Sequence, residues 1–278
     1  MELVGKMVSS GLHPFQITLW RFLIGSLILL PPALLEIRRR RLRLEWKDWK
    51  FFIGLGFLCI VICMSFFQTA ILLTNASIVA VVFSANPVFT IPFAYWLLKE
   101  RVTWLTVLAL VLGLSGVLVI MHPYLRASSA DLQGIGLAVL AALTWSLYTV
   151  LGKQRVGYYG GIVQNCFSFW AGILALLPLF LVFRIPVLAG IGADNIWQLL
   201  YLGIFVSGLG FFFYFAGMGL TSAGTGSVVF FIKPALAAYL AHLVLGEALS
   251  SSLLLGTALI ILGSLCFFRR AAAAAAGK

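Results

Sequence analysis

TNASIVAVVFSANPVFTIPFAYWLLKE runs from Thr74 to Glu100, and TSAGTGSVVFFIKPALAAYLAHLVLGE from Thr221 to Glu247. Each stretch is apolar enough to cross a bilayer. Each carries a proline near its middle, Pro87 after Asn86 in the first and Pro234 after Lys233 in the second, and each ends on a glutamate thirteen residues later. A lysine at membrane depth is costly, and a proline there removes a backbone hydrogen bond, so neither is retained without a reason. Two stretches built to one plan indicate a duplicated chain.

Sliding the sequence along itself by 147 residues extends the match without a gap. Gly5-Lys6 falls on Gly152-Lys153, Gly25 on Gly172, Leu30-Pro31 on Leu177-Pro178, Gly56 on Gly203, Phe66 on Phe213, Val81-Val82-Phe83 on Val228-Val229-Phe230 and Gly116 on Gly263. The offset defines a first repeat over 1–122, a second over 132–268 and a low-complexity tail over 269–278.

Of the 278 residues 62% are hydrophobic and 10% charged, whereas soluble domains carry roughly a quarter charged residues. The reading is an all-α polytopic membrane protein. Apolar runs long enough for a bilayer cover Pro14–Glu36, Trp49–Leu73, Asn75–Leu98, Trp104–Met121, Gln133–Leu151, Gly157–Phe183, Ile196–Leu220, Ser222–Leu245 and Ser250–Phe268, nine spans in all. Five belong to the second copy. An odd number of spans per copy makes the copies enter the membrane in opposite directions, the inverted-repeat plan of many transporters. The counterpart of Gln133–Leu151 would start before Met1, so only its tail, Met1 to about Ser10, is present. The expected plan is therefore two inverted five-helix repeats, ten helices, with the first largely missing.

The net charge of +11 marks topology here, and nucleic acid is not an expected partner. With Pro14–Glu36 running inward, fourteen of the nineteen Lys and Arg fall on the cytoplasmic side, together with the C-terminus, and Lys6, Arg126 and Arg184 fall outside. Arg21 and Lys233 stay at membrane depth. Cys59, Cys63, Cys166 and Cys266 all lie in spans and are expected to pack as small residues. No cleavable signal peptide is read at the start.

Lys233 is the most informative residue. All eight acids lie at span ends or in loops, so the expectation is that no carboxylate at mid-membrane pairs with it, and an anionic group on a solute is one source of the missing charge. Snorkelling, or capping of carbonyls freed by Pro234, is the alternative. Asn86, its counterpart, is a neutral candidate ligand. Pro87 and Pro234 are candidate kinks flanking a cavity. Trp145 and Tyr148 share a helix face and, with Tyr214, could stack on a solute or simply pack. Arg21 has Ser168 as counterpart and is divided between a structural and a solute role. Glu100 and Glu247 are candidates for gating or capping. Gln68, Gln164 and Asn165 are expected to bond across helices, and Gly113, Gly116, Gly256 and Gly263 to allow close packing.

No glycine loop followed by GK[ST] is present, which leaves ATP-driven pumping unsupported. No HExxH and no nucleophile beside a base is found, so an enzyme is disfavoured. No metal or cofactor is expected.

The repeated proline-to-glutamate spacing, the LKE and LGE endings and the two five-helix copies together resemble the EamA-like families of the drug/metabolite transporter superfamily, over Lys6 to Phe268. The resemblance implies a ten-helix inverted-repeat permease of a prokaryotic inner membrane, its solute cavity between the halves, with efflux the expected direction. The expected function is alternating-access transport of a small metabolite, an amino acid or organic anion. The lipid bilayer is the other partner, and a homodimer is left open. A non-transporting binding or assembly subunit predicts binding without flux, and a channel predicts flux that does not saturate.

Overall fold

With no water to satisfy it, a backbone at membrane depth pairs within its own segment, so apolar runs of this length become helices. The computed structural model describes residues 1–122, 129–227, 229–230, 233–245 and 251–276, and among them every regular element is helical. In chain order these are α1 (Glu2–Ser9), α2 (Pro14–Arg40), α3 (Trp46–Leu73), α4 (Ala76–Leu98), α5 (Trp104–Met121), α6 (Ser129–Val182), α7 (Ala193–Leu220), α8 (Ala223–Ser227), α9 (Lys233–Leu245) and α10 (Ser251–Ala276). Among the described residues five helices are long and apolar enough to cross a membrane: α2, α3, α4, α7 and the Asp131–Val182 part of α6. Shorter apolar helices lie at Trp104–Val119 and Leu254–Gly263.

At 54 residues α6 is far too long for one crossing. It breaks at Gly160, where φ is 77° and ψ 155°, a conformation that a side chain disfavours. The two runs read as separate spans, Gln133–Leu151 and Gly157–Phe183, are therefore joined through helical residues and one glycine instead of a loop. α6 is also the centre of the packing, touching α2, α3, α4, α7 and α8.

Pro87 stands near the middle of α4, where Ala85 leaves the helical conformation and Pro87–Leu98 resumes it with the proline in its first turn, a position at which the missing N–H costs little. Pro234 lies in α9, and residues 231–232 before it are outside the described ones.

The apolar interior also holds polar groups, and large apolar side chains face outward. Arg21, Asn86, Gln164, Asn165 and Ser168 are fully buried, while Leu220 is 90% and Leu181 82% exposed. Close crossings hold the helices together. A methyl group on Gly172 would lie 2.5 Å from the Gly56 carbonyl oxygen, and one on Gly25 would lie 2.9 Å from Ser207 Cβ. α5 and α10 cross the same way, Gly116 against Gly256 and Gly263 against Ala109. Without strong hydrophobic attraction between helices in lipid, such small-residue contacts carry the association.

Features recur at the 147-residue offset. π-helical turns occupy Phe57–Met64 in α3 and Leu202–Gly210 in α7. α3 and α7 both stop on an extended threonine, Thr74 and Thr221. Lys6 Nζ donates to the carbonyls of Ile71 and Thr74, each at 2.8 Å, and Lys153 Nζ donates to those of Met218 and Thr221. A cation on the terminal carbonyls neutralises the negative end of the helix and occupies acceptors that the helix leaves open. Lys153→Met should destabilise the protein by about 1.5 kcal/mol. That loss would lower the unfolding midpoint of purified protein by roughly 3–6 °C, and an unchanged midpoint would refute the cap.

Candidate functional site

A cavity of about 580 Å³ opens between α7 and the α8–α9 region. Its wall is made by Phe83, Trp145, Phe211, Tyr214, Phe230 and other apolar residues, and among the lining residues Lys233 has the one charged side chain. The Lys233 ammonium stands over three rings, 4.8 Å from Phe83, 5.5 Å from Phe230 and 5.6 Å from Phe67. Cation–π attraction of this kind partly replaces lost hydration.

Positions 147 residues apart meet different surroundings here. In the first half, α6 covers Cys63 through Ala141, Thr74 through Gly134, Phe83 through Trp145 and Asn86 through Ser146. The 147-residue counterparts of those four covered residues are Gly210, Thr221, Phe230 and Lys233, and all four face the cavity.

The expectation of an unpaired Lys233 is overturned. Glu2 on α1 forms an ion pair with Lys233, its side chain only 4% exposed against 23% for the lysine. Glu2 was read as a residue at a chain end, but α1 packs against α2, α4 and α9 and carries its first turn into the interior. Arg21 lies near the same pair, within electrostatic reach of Glu2. Its Nε donates to Ser207 Oγ at 3.0 Å and its guanidinium stands 5.0 Å from the Phe22 ring centre, while Nη1 has no hydrogen-bond partner in the structure.

The other candidates separate. Trp145 and Tyr214 line the cavity, their ring centres 5.8 Å apart, and Trp145 Nε1 is buried without a hydrogen-bond partner. Tyr214 shares a hydrogen bond with Thr149 at 3.1 Å. Tyr148 lies outside the lining and donates to Asn165 Oδ1 at 3.1 Å. Asn86 is also outside it; its amide donates to the Phe83 carbonyl, and its Oδ1 is left without a partner. Glu100 accepts from the backbone N–H groups of Ala223 at 2.7 Å and Gly224 at 3.3 Å, so a carboxylate of the first half caps a helix of the second. Glu247 lies outside the described residues.

Sequence reasoning missed Glu2, Lys6 and Lys153. The paired Gly-Lys at positions 5–6 and 152–153 was the available signal for the two lysines; position alone hid Glu2.

A polytopic helical protein with buried polar groups, apolar side chains outside and an apolar cavity with a lysine in its wall fits the class of membrane proteins that handle small solutes. The model of the EamA-like transporter family matches residues 2–122 and 132–269, and the chain belongs to that family. An uncharacterized transporter of Clostridium kluyveri is 44% identical over 270 residues, covering 95% of this chain and 87% of the relative. A protein of Streptantibioticus cattleyicolor named "Probable terminal-alkyne amino-acid exporter" is 29% identical over 184 residues, 66% of this chain and 61% of its own. A solved crystal structure has the same fold, with a TM-score of 0.71 at 23% identity, covering 96% of this chain and 93% of its own. The protein is therefore an integral membrane transporter.

Proposed function

We propose that the protein is a secondary transporter of a small amphipathic metabolite with an anionic group, working by alternating access in the prokaryotic plasma membrane, with its C-terminus cytoplasmic. The observation that carries the reading is the cavity: an aromatic and aliphatic wall suited to an apolar body, with Lys233 placed to meet a carboxylate or similar anion. The name of the Streptantibioticus relative, a probable amino-acid exporter, agrees with a solute of this size and with efflux.

Two inverted five-helix halves and nine full spans remain the preferred architecture. Support comes from contacts that repeat at the offset: Gly25 with Ser207 corresponds to Gly172 with Ile60, Gly116 with Ile260 to Gly263 with Gly113, and Lys6 with Ile71 to Lys153 with Met218. Each contact joins a residue of one half to the same partner position in the other, or recurs within both halves. Rocking one half against the other about the cavity then exposes it to each side in turn. Glu100, holding the N–H groups of Ala223 and Gly224, ties the halves together at the end assigned to the cytoplasm.

Proteoliposomes exposed to a pool of labelled amino acids, organic acids and nucleosides test this. Saturable uptake of an anion-bearing solute, accelerated by the same solute trapped inside, is the expected result. Accelerated exchange requires a reorienting site, so flux that neither saturates nor exchanges would leave a channel, and binding with no flux an assembly subunit.

A further inference from the structure

The stretch from the end of α2 into α3, RRRRLRLEWKDWK over 38–50, holds seven of the nineteen Lys and Arg. Lys99 with Arg101 and Lys153 with Arg155 mark the same side of the membrane with two charges each, so orientation does not require seven. The counterpart at the 147-residue offset, 185–197, has no Lys or Arg. Of the three acids nearby, Glu36 pairs with Arg40, while Asp48 accepts from the Tyr159 hydroxyl and lies 3.7 Å from Arg155. Only Glu45 is left. Among the described residues Arg38, Arg39, Arg41, Arg43, Lys47 and Lys50 are exposed and enter no ion pair.

The fold sets where these charges stand. On α2, Leu34 and Leu35 face outward, Leu35 being 66% exposed, and Arg38 and Arg39 follow them by four residues on the same helix face. The guanidinium groups therefore lie one turn beyond an apolar face, where acyl chains give way to headgroups. Arg41 ends the helix in a left-handed turn, φ 53°, with the Leu42 N–H on the Ile37 carbonyl at 3.0 Å. Leu42 and Leu44 then pack against the core, Arg41 and Arg43 stay exposed, and Trp46 follows, 76% exposed. Tryptophan at that level is typical of a bilayer interface. Guanidinium takes phosphate through paired N–H bonds, which suits arginine better than lysine to a headgroup.

We propose that Arg38, Arg39, Arg41 and Arg43 dock the phosphodiester headgroups of anionic phospholipid in the adjacent leaflet, with acyl chains along Leu34 and Leu35. The phosphates supply the negative charge that the segment's own acids do not, and they anchor the corner between α2 and α3 at the membrane surface. None of these residues lines the cavity, so the surface stands or falls independently of the solute reading.

Native mass spectrometry of protein purified in detergent, titrated with dioleoyl phosphatidylglycerol or dioleoyl phosphatidylcholine, tests this. Direction of insertion has no influence in detergent, so the topological role of the same charges does not enter. Wild-type protein should bind phosphatidylglycerol about thirtyfold more tightly than phosphatidylcholine, and less so as salt rises. R38Q/R39Q and R41Q/R43Q should each weaken phosphatidylglycerol binding about twentyfold, near fivefold per arginine. R269Q/R270Q removes as much charge from the side assigned to the cytoplasm and should bind as wild type does. Equal loss in R269Q/R270Q would make net charge the cause and overturn the proposal, as would binding by R38Q/R39Q and R41Q/R43Q that matches wild type. Two results on the wild-type protein alone also overturn it: no preference between the two lipids, or displacement by glycerol phosphate at the same concentration as the lipid, which would make this a site for free phosphate.

Discussion

Gly56→Leu should yield no monodisperse protein after detergent extraction, a loss of about 3 kcal/mol or more. A Cβ at position 56 would lie 2.0 Å from the Ser168 carbonyl oxygen and 2.7 Å from the Gly172 nitrogen. Both are backbone atoms of α6, so no side chain can rotate away and the helices must part. Every element packed on α6 would feel that separation. Gly54→Leu on the same helix is the control, since nothing stands within 4 Å of its Cβ, and it should purify as wild type does. Size-exclusion profiles and unfolding midpoints of the two variants read the difference. If Gly56→Leu behaves like Gly54→Leu, the α3–α6 crossing is wider than the structure has it.

Lys233→Met should fail twice, and the failures should separate. Removing the ammonium leaves the buried Glu2 with the chain's amino group, 3.7 Å away, as its remaining ion-pair partner, a loss of about 3 kcal/mol. Adding Glu2→Gln should restore most of that stability, because a neutral amide beside methionine buries no charge. Flux of an anionic solute should stay lost in both proteins, by about a hundredfold or more, the scale of removing one member of a buried charge pair. Unfolding midpoints and proteoliposome uptake on the same preparations give the two readouts. Stability and flux that recover together would make Lys233 a structural residue.

Much of this was legible in the chain. Membrane spans are set by composition, and the 147-residue offset exposes a duplication without any structural knowledge. The offset also shows Lys233 opposite Asn86. What stayed hidden depends on packing between segments distant in sequence. Glu2 sits outside every apolar run, and only the seating of α1 against α2, α4 and α9 carries it inside. The matched lysines at 6 and 153 were visible as a repeat, but their acceptors lie 65 to 68 residues further on, at helix ends that periodicity locates only roughly. Gly160 was not singled out because it stands among other glycines, Gly157 and Gly161, and composition does not say which of them turns the chain.

The recurring contacts are between glycines, carbonyls and capping lysines, whereas the interior charges do not recur. At the offset Glu2 meets Thr149, Arg21 meets Ser168 and Lys233 meets Asn86. A protein made of two identical inverted halves would have two conformations of equal energy, each the mirror of the other in function. In the proposed cycle these three side chains would bury different charges in the two orientations, so exchanging Lys233 and Asn86 would be expected to change which face of the membrane an empty carrier prefers.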